Sequence, residues 1–490
     1  MKPGKVFLVG AGPGDVRLIT VKGLEAIQQA EVILYDRLAN PKLLEYAPGD
    51  CELIYCGKLP DRHILRQESI NDLLVVKALE GKIVVRLKGG DPGVFGRVGE
   101  EAAALAENQI PFEIVPGISS GMAAPLYAGI PVTHREYAES FAVVTAHDQS
   151  KDGKPLLDWE GLARGVDTIA FYMGVGNLPF ICENLMKYGK PADTPVILIQ
   201  WGTFGRQKTL QGSLMNISSK AVEEQFSNPS IILVGNVISL REKLSWFEKK
   251  PLYGRQVLLA RTDCGESKLA KELMDQGADV IEFPKWKKTM MPIKHEVVEQ
   301  LSTYEKILFS SQESVNEFFK AVFEHGVDIR KITAEFFGLS VKTIKALSER
   351  GLMANLAEEM QPSGRLLVVG DDYLFKNELE YTFRFGTFDK WVTSQKRMDP
   401  QFFPIFKRML EEADVNTMIF PCKASVELFK AGLKECGIDS SELLKSLPIV
   451  CMGEQTWKAV EVAGLKPAGM PEKATKEALV EYLTKNVVRM

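Results

Sequence analysis

Histidine is scarce in this chain, five residues in 490, and the seven cysteines include no C-x-x-C pair. Neither type shows metal-ligand spacing, Cys51 and Cys56 with four residues between them included, so no metal site is expected. An odd, scattered cysteine count argues against a disulfide framework and for a reducing compartment. No stretch approaches the roughly 20 apolar residues of a membrane helix. The opening MKPGKVFLVGAG holds one short apolar run that glycine breaks at once, too early for a secretion signal. A cytoplasmic protein with no membrane partner is the expectation. No sign of charge dominates either. A net charge of −4 and a pI near 6.0 argue against a broad nucleic-acid surface while leaving room for a local basic pocket.

What the chain does have is a recurring unit: four to six apolar residues, a Gly- or Asp-rich turn, then a helical pattern. VFLV (6–9), VILY (32–35), IVVRL (83–87), TIAFYM (168–173), VILIQ (196–200) and IILVG (231–235) are examples. Such runs read as buried strands of parallel sheets with helices on both faces, so the fold class is α/β. The length calls for three or four lobes. A division near 246–254, where WFEKKPLYG follows SLREKL, separates 1–247 from 252–490. A softer one divides the first part into lobes of about 1–132 and 133–247.

The second part contains an internal repeat. GRQVLLA at Gly254 matches GRLLVVG at Gly364, FSSQESVNEF at Phe309 matches FPCKASVELF at Phe420, and TIKALSERGL at Thr343 matches TWKAVEVAGL at Thr456. Three blocks in one order at a nearly constant shift imply two similar α/β lobes with a ligand cleft between them.

Three small-residue loops in the first part imply one ligand crevice. Gly10-Ala-Gly-Pro-Gly-Asp15 follows VFLV directly, Gly89-Gly-Asp-Pro92 ends IVVRL, and PGISSGMAA (116–124) makes a third strand-to-helix turn. Glycine lets backbone approach a ligand, and ligands of open α/β sheets gather at the carboxyl ends of strands. The spacing is not the G-x-G-x-x-G of dinucleotide folds. Asp36 lies 22 residues past Gly14, where a ribose anchor, a helix cap and a catalytic base are equally open.

GAGPGD, YDRL, CGK, VVRLKGGDPGVFGR, VPGISS, GIPVTHR and FYMG, in that order over about residues 4–247, resemble the uroporphyrinogen-III C-methyltransferases of sirohaem and cobalamin synthesis. The resemblance implies the tetrapyrrole methylase fold, with two α/β lobes. It also implies S-adenosyl-L-methionine as methyl donor, uroporphyrinogen III as substrate and a homodimer. Carried over position by position, Pro13, Gly89, Gly90, Asp91, Val94, Ser119, Ser120, Met173 and Gly202 would line the cofactor pocket. Asp36 would accept a proton and Lys58 donate one, with Arg97 a rival catalytic residue. Arg37, Glu100 and Arg135 would contact substrate, whose eight carboxylates suit guanidinium forks. Ser119-Ser120 stands where the family often has Thr-Ala, and Val98 where it usually has glycine. Met173 has a plainer reading as core filler.

The repeated part resembles uroporphyrinogen-III synthase over about 252–490, through GRQVLLAR, ILFSSQESVNEFF and VCMGEQTWKAVEVAGL. That implies crossed lobes, 252–285 with 396–490 and 286–395 between them, acting on hydroxymethylbilane. Ser310, Ser311 and Thr456 would touch that substrate, with capping or turn roles as the alternative. Two departures stand out: Trp391-Val-Thr393 replaces a Tyr-x-Thr stretch, and Phe420-Pro-Cys-Lys423 a hydroxyl-rich loop. The chain as a whole is expected to make and then doubly methylate uroporphyrinogen III, giving precorrin-2. The alternative is a methyltransferase carrying a non-catalytic two-lobed ligand-binding domain.

Overall fold

The computed structural model describes residues 3–57, 67–146, 153–292, 295–361, 363–372 and 374–486. Two compact units are present: the first joins 1–261, 266–283 and 401–490, and the second joins 262–265 and 284–400.

Three five-stranded sheets build the first unit. Strands β1 (Lys5–Gly10), β2 (Val32–Tyr35), β3 (Glu52–Tyr55), β4 (Ile83–Lys88) and β5 (Phe112–Val115) lie in the order β3-β2-β4-β1-β5, all parallel. Successive side chains serve opposite faces. Val6 and Leu8 join Val32, Leu34 and Val84 in one core, under the helices Gln67–Leu79 and Val98–Glu107. Phe7 and Val9 join Ile33, Val85 and Leu87 in the other. Burial on both faces is why these strands read as unbroken apolar runs.

The second sheet departs from the parallel expectation. Its strands β6 (Phe141–Thr145), β7 (Thr168–Tyr172), β8 (Pro195–Gln200), β9 (Lys208–Ser213) and β10 (Ser230–Val234) are ordered β6-β7-β10-β8-β9. Only β6 and β7 pair in parallel; β10 runs antiparallel to both β7 and β8, and β8 to β9. Every residue of β10 is buried. An apolar run therefore reports two-sided burial and carries no information on strand direction.

After β11 (Gln256–Ala260) and β12 (Asp279–Phe283) the chain passes into the second unit. There β13 (Trp286–Met290), β14 (Lys306–Phe309), β15 (Glu335–Gly338), β16 (Ala354–Leu356), β17 (Leu366–Asp371) and β18 (Asp389–Met398) form a sheet ordered β13-β18-β17-β14-β15-β16. Only β13 is antiparallel to its neighbour. On returning, β19 (Thr417–Phe420), β20 (Ile449–Cys451) and β21 (Pro467–Gly469) complete the third sheet of the first unit, a parallel β12-β11-β19-β20-β21.

The helix Phe402–Glu412 leads into β19 and packs on the N-terminal sheet, with Ile405 inside the core of Phe7, Val9 and Leu87. No helix among the described residues is long and apolar enough to cross a membrane.

None of the seven cysteines is in a disulfide. Burial pushes the Cys51 thiol up to about 12 and those of Cys56, Cys182, Cys436 and Cys451 to about 11. Since the thiolate is the nucleophile, iodoacetamide at pH 8 is expected to label native protein at Cys264 and Cys422 alone, both half-exposed. Mass spectrometry of peptides checks this, and a labelled Cys56 in folded protein contradicts it.

Candidate functional site

The loops that leave β1, β2, β3 and β4 converge on one cavity of about 600 Å³, a volume typical of small-molecule sites. Its wall takes Gly12 and Pro13 from the first loop, Asp36, Arg37 and Leu38 from the second, Gly57 from the third, and Gly89, Gly90, Val94, Phe95, Gly96 and Arg97 from the fourth. Ser120 and Ala124 come from the helix after β5, and Tyr172, Met173, Ile199, Trp201 and Gly202 from the second sheet.

Glycine is required here by close backbone approach. Gly12 and Gly90 exchange two backbone hydrogen bonds, of 3.1 and 2.8 Å, and both have positive φ. A Cβ at Gly117 would lie 2.3 Å from the carbonyl oxygen of Gly90, and one at Gly10 2.6 Å from the Gly117 nitrogen. A Cβ at Gly90 itself would meet nothing within 3.7 Å, so that loop turns bare backbone toward open space. Asp91 ties the arrangement together: Oδ1 accepts from the Gly93 amide at 2.7 Å and Oδ2 from the Gly117 amide at 2.9 Å.

Asp36 follows β2. Arg86 Nη2 donates to its Oδ1 at 2.6 Å, and among the described residues its side chain has no other partner, leaving Oδ2 free. Arg86 and Lys88 alternate on the same face of β4, where Glu101 of the facing helix reaches them. Glu101 Oε1 accepts from Arg86 Nε at 3.0 Å, Lys88 Nζ at 2.7 Å and Gln67 Nε2 at 3.2 Å. Glu101 is wholly buried and the two cations nearly so. Burial opposes the Arg86 charge, yet Asp36 and Glu101 outweigh it and hold its pKa above the ordinary value. For Lys88 burial prevails, reinforced by the Arg86 charge, and its pKa is lowered. Arg86 Nη1 and Glu101 Oε2 are buried with no hydrogen-bond partner among the described residues.

Four wall residues have left-handed backbone despite bearing side chains: Phe95 (φ 55), Arg97 (φ 57), Met173 (φ 55) and Trp201 (φ 50). Such conformations cost on the order of 1 kcal/mol or more each and gather where function holds them. Tyr172 links the two sheets. Its hydroxyl lies 2.5 Å from both Ser119 Oγ and the Gly121 amide, and its ring meets Phe95 edge-on at 5.2 Å.

Of the residues expected at a cofactor pocket, Pro13, Gly89, Gly90, Val94, Ser120, Met173 and Gly202 line this cavity. Asp91 and Ser119 instead hold its loops. Asp36, Arg37 and Arg97 also lie on the wall. Arg97 forms an exposed ion pair with Glu100 at 2.6 Å, and that bond raises its pKa. Arg135 sits on an exposed turn that is not part of the wall, and Lys58 lies outside the described residues. In the second unit, Ser310 follows β14 and Ser311 caps the helix Gln312–Glu324, accepting from the Ser314 amide at 3.1 Å. Thr456, in the first unit, is buried in the helix Glu454–Val462. The site also contains Arg86, Lys88, Glu101, Tyr172 and Trp201, which the sequence motifs do not single out. For the first two a signal exists, since cations at alternate positions of an apolar strand need a buried partner. Among the described residues no group of three His, Cys, Asp or Glu could hold a metal.

Comparison with known proteins agrees with this geometry. Residues 5–218 match the family model of tetrapyrrole (corrin/porphyrin) methylases. A uroporphyrinogen-III C-methyltransferase of Priestia megaterium is 62% identical over 237 residues, 48% of this chain and 99% of that one. The porphyrin biosynthesis protein HemD of Ruminiclostridium josui is 34% identical, covering 99% of this chain and 98% of its own length. A uroporphyrinogen-III C-methyltransferase of Bacillus subtilis is 49% identical over 457 residues, 93% of each chain. With cavity, glycine loops and full-length likeness in agreement, the chain belongs to the uroporphyrinogen-III C-methyltransferase family.

Proposed function

We propose that the cavity of the first unit transfers methyl groups from S-adenosyl-L-methionine to uroporphyrinogen III, twice, yielding precorrin-2. The observation that carries this is Asp36, a carboxylate with one oxygen unengaged among the described residues, on the wall of a cavity built from bare glycine backbone. The lining fits the donor: backbone at Gly89 and Gly90 and the Ser120 hydroxyl suit a nucleoside joined to an amino acid. Ala124, Ile199 and Met173 supply an apolar side. When bound, the donor presents an electrophilic methyl on a sulfonium. The protein's part is to align the attacking pyrrole carbon, an effect of positioning, and to take the proton that leaves the methylated ring. Asp36 is the acceptor in this reading. Arg97, a guanidinium whose pKa its neighbour raises further, cannot take a proton at working pH and instead orients substrate carboxylates together with Arg37. Lys58 is the proposed proton donor.

Residues 252–490 are proposed to close hydroxymethylbilane to uroporphyrinogen III, using Ser310, Ser311 and Thr456. The internal repeat behind this reading is supported by element positions. β14 and the helix Gln312–Glu324 recur as β19 and the helix Lys423–Glu435 at one common offset, 111 positions on. A full-length relative named for porphyrin biosynthesis supports it too. The test supplies the full chain with hydroxymethylbilane and S-adenosyl-L-methionine and identifies products by absorption spectrum and mass. Precorrin-2 is expected. Methylation of added uroporphyrinogen III without closure of hydroxymethylbilane to the type III isomer would assign the second part a ligand-binding role instead.

A further inference from the structure

The helix Phe402–Glu412 belongs to the C-terminal part of the chain, yet it lies along the edge of the N-terminal sheet that carries Asp36. Gln401 accepts from the Leu53 amide at 3.3 Å. The Arg408 guanidinium sits over the Tyr55 ring at 4.4 Å and the Tyr35 ring at 5.6 Å. At the end of the helix, Glu412 makes two contacts with the N-terminal part, one of them to the cavity wall at Arg37. Its Oε1 accepts from Arg37 Nε at 2.8 Å, and its carbonyl oxygen accepts from Arg206 Nη1 at 2.8 Å. Arg206 in turn lies over the Trp201 ring at 4.1 Å, and Arg37 and Trp201 both line the cavity.

Arg37 has no other hydrogen-bond partner among the described residues. A guanidinium held by Nε keeps its plane fixed and both Nη groups available, the fork that binds a carboxylate bidentately. The pair contributes little to stability, since the Arg37 side chain is half-exposed and water screens such ion pairs. Its consequence is orientation.

We propose that Glu412 is a positioning residue for methyl transfer, contributed by the C-terminal part, which holds Arg37 by Nε so that its free edge receives a carboxylate of the tetrapyrrole. This rests on the reading of uroporphyrinogen III as substrate. The Priestia megaterium relative matches only 48% of this chain, so the role belongs to chains that carry the additional part.

A double-mutant cycle in the full chain tests it, with Glu412→Ala, Glu412→Gln, Arg37→Ala and the pair Glu412→Ala/Arg37→Ala. Uroporphyrin III, a stable octacarboxylate, is titrated by tryptophan fluorescence, and methylation of uroporphyrinogen III is followed separately. Glu412→Ala is expected to raise the uroporphyrin III Kd and the uroporphyrinogen III KM about threefold to tenfold. The kcat, S-adenosyl-homocysteine affinity and Tm stay as they were. Glu412→Gln, which keeps the acceptor, recovers most of the loss, and the double variant binds no more weakly than Arg37→Ala. Unchanged or tighter binding in Glu412→Ala, or additive losses in the double variant, overturns the inference. A wild-type chain that does not methylate uroporphyrinogen III overturns the substrate reading and this inference together. A wild type that does, with Glu412→Ala indistinguishable from it, overturns the inference alone.

Discussion

Asp36→Asn is expected to slow methyl transfer by a factor of about 10²–10⁴, the range that one positioned base commonly supplies. S-adenosyl-homocysteine affinity should stay within about twofold of wild type. Asparagine keeps an oxygen for Arg86, whose Nη2 now donates to Asp36 Oδ1 at 2.6 Å, so the wall and the buried cluster behind it persist. What goes is the free carboxylate oxygen, the only part of the side chain the proposed proton transfer uses. Calorimetric titration of the cofactor product and single-turnover rates on the same preparation separate the two. A tenfold loss of affinity with a normal single-turnover rate would make Asp36 a ribose anchor and not the base.

The parts of this site that were legible in the sequence are those where the local backbone demands a particular residue. Gly10, Gly12, Gly89 and Gly90 stand out because backbone passes too close for side chains, or turns through positive φ, and only glycine tolerates both cheaply. The strands were legible because each is buried on two faces. The direction of β10 was not, since burial is the same either way along a strand. Nor were the left-handed Met173 and Trp201, whose conformation is imposed by the surroundings and leaves no mark on residue type. Asp91 and Ser119 were found for a different reason than the one they serve: they belong to the right loops, but their polar atoms are spent on the Gly93 and Gly117 amides and on Tyr172. Arg37 and Glu412 are separated by 375 positions, and no local pattern announces a pair that distant. Arg86 and Lys88 lay in plain view inside VVRLKGGDP. Read as part of a motif they were names to match, whereas read as charges in an apolar strand they require an acid opposite, and Glu101 supplies it.

Removing that acid is expected to have the largest effect on stability of any single change near the cavity. Glu101→Gln keeps the shape of the side chain and withdraws the negative charge that faces Arg86 and Lys88, leaving two buried cations with Asp36 alone. Breaking a buried ion pair from one side costs about 3–5 kcal/mol, because the remaining charge stays desolvated and uncompensated. The first urea transition of the chain should move to lower denaturant by a corresponding amount. The sign of its pH dependence follows from Lys88. Burial and the Arg86 charge already lower its folded pKa, and Glu101 is among the groups that raise it. In Glu101→Gln the folded value therefore falls further below the ordinary 10.5, which the unfolded chain retains. Between those two values the unfolded state holds more protons than the folded one, so stability rises with pH. The deficit of the variant relative to wild type should accordingly shrink as the pH rises toward 10.5, as Lys88 sheds the proton that the missing carboxylate no longer favours. Adding Lys88→Met, which removes the same charge by other means, should recover part of the loss at pH 7 and flatten the pH response. A deficit that is constant across that range, or a double variant that is less stable than Glu101→Gln, would show that Glu101 contributes packing and hydrogen bonds there and does not act through charge.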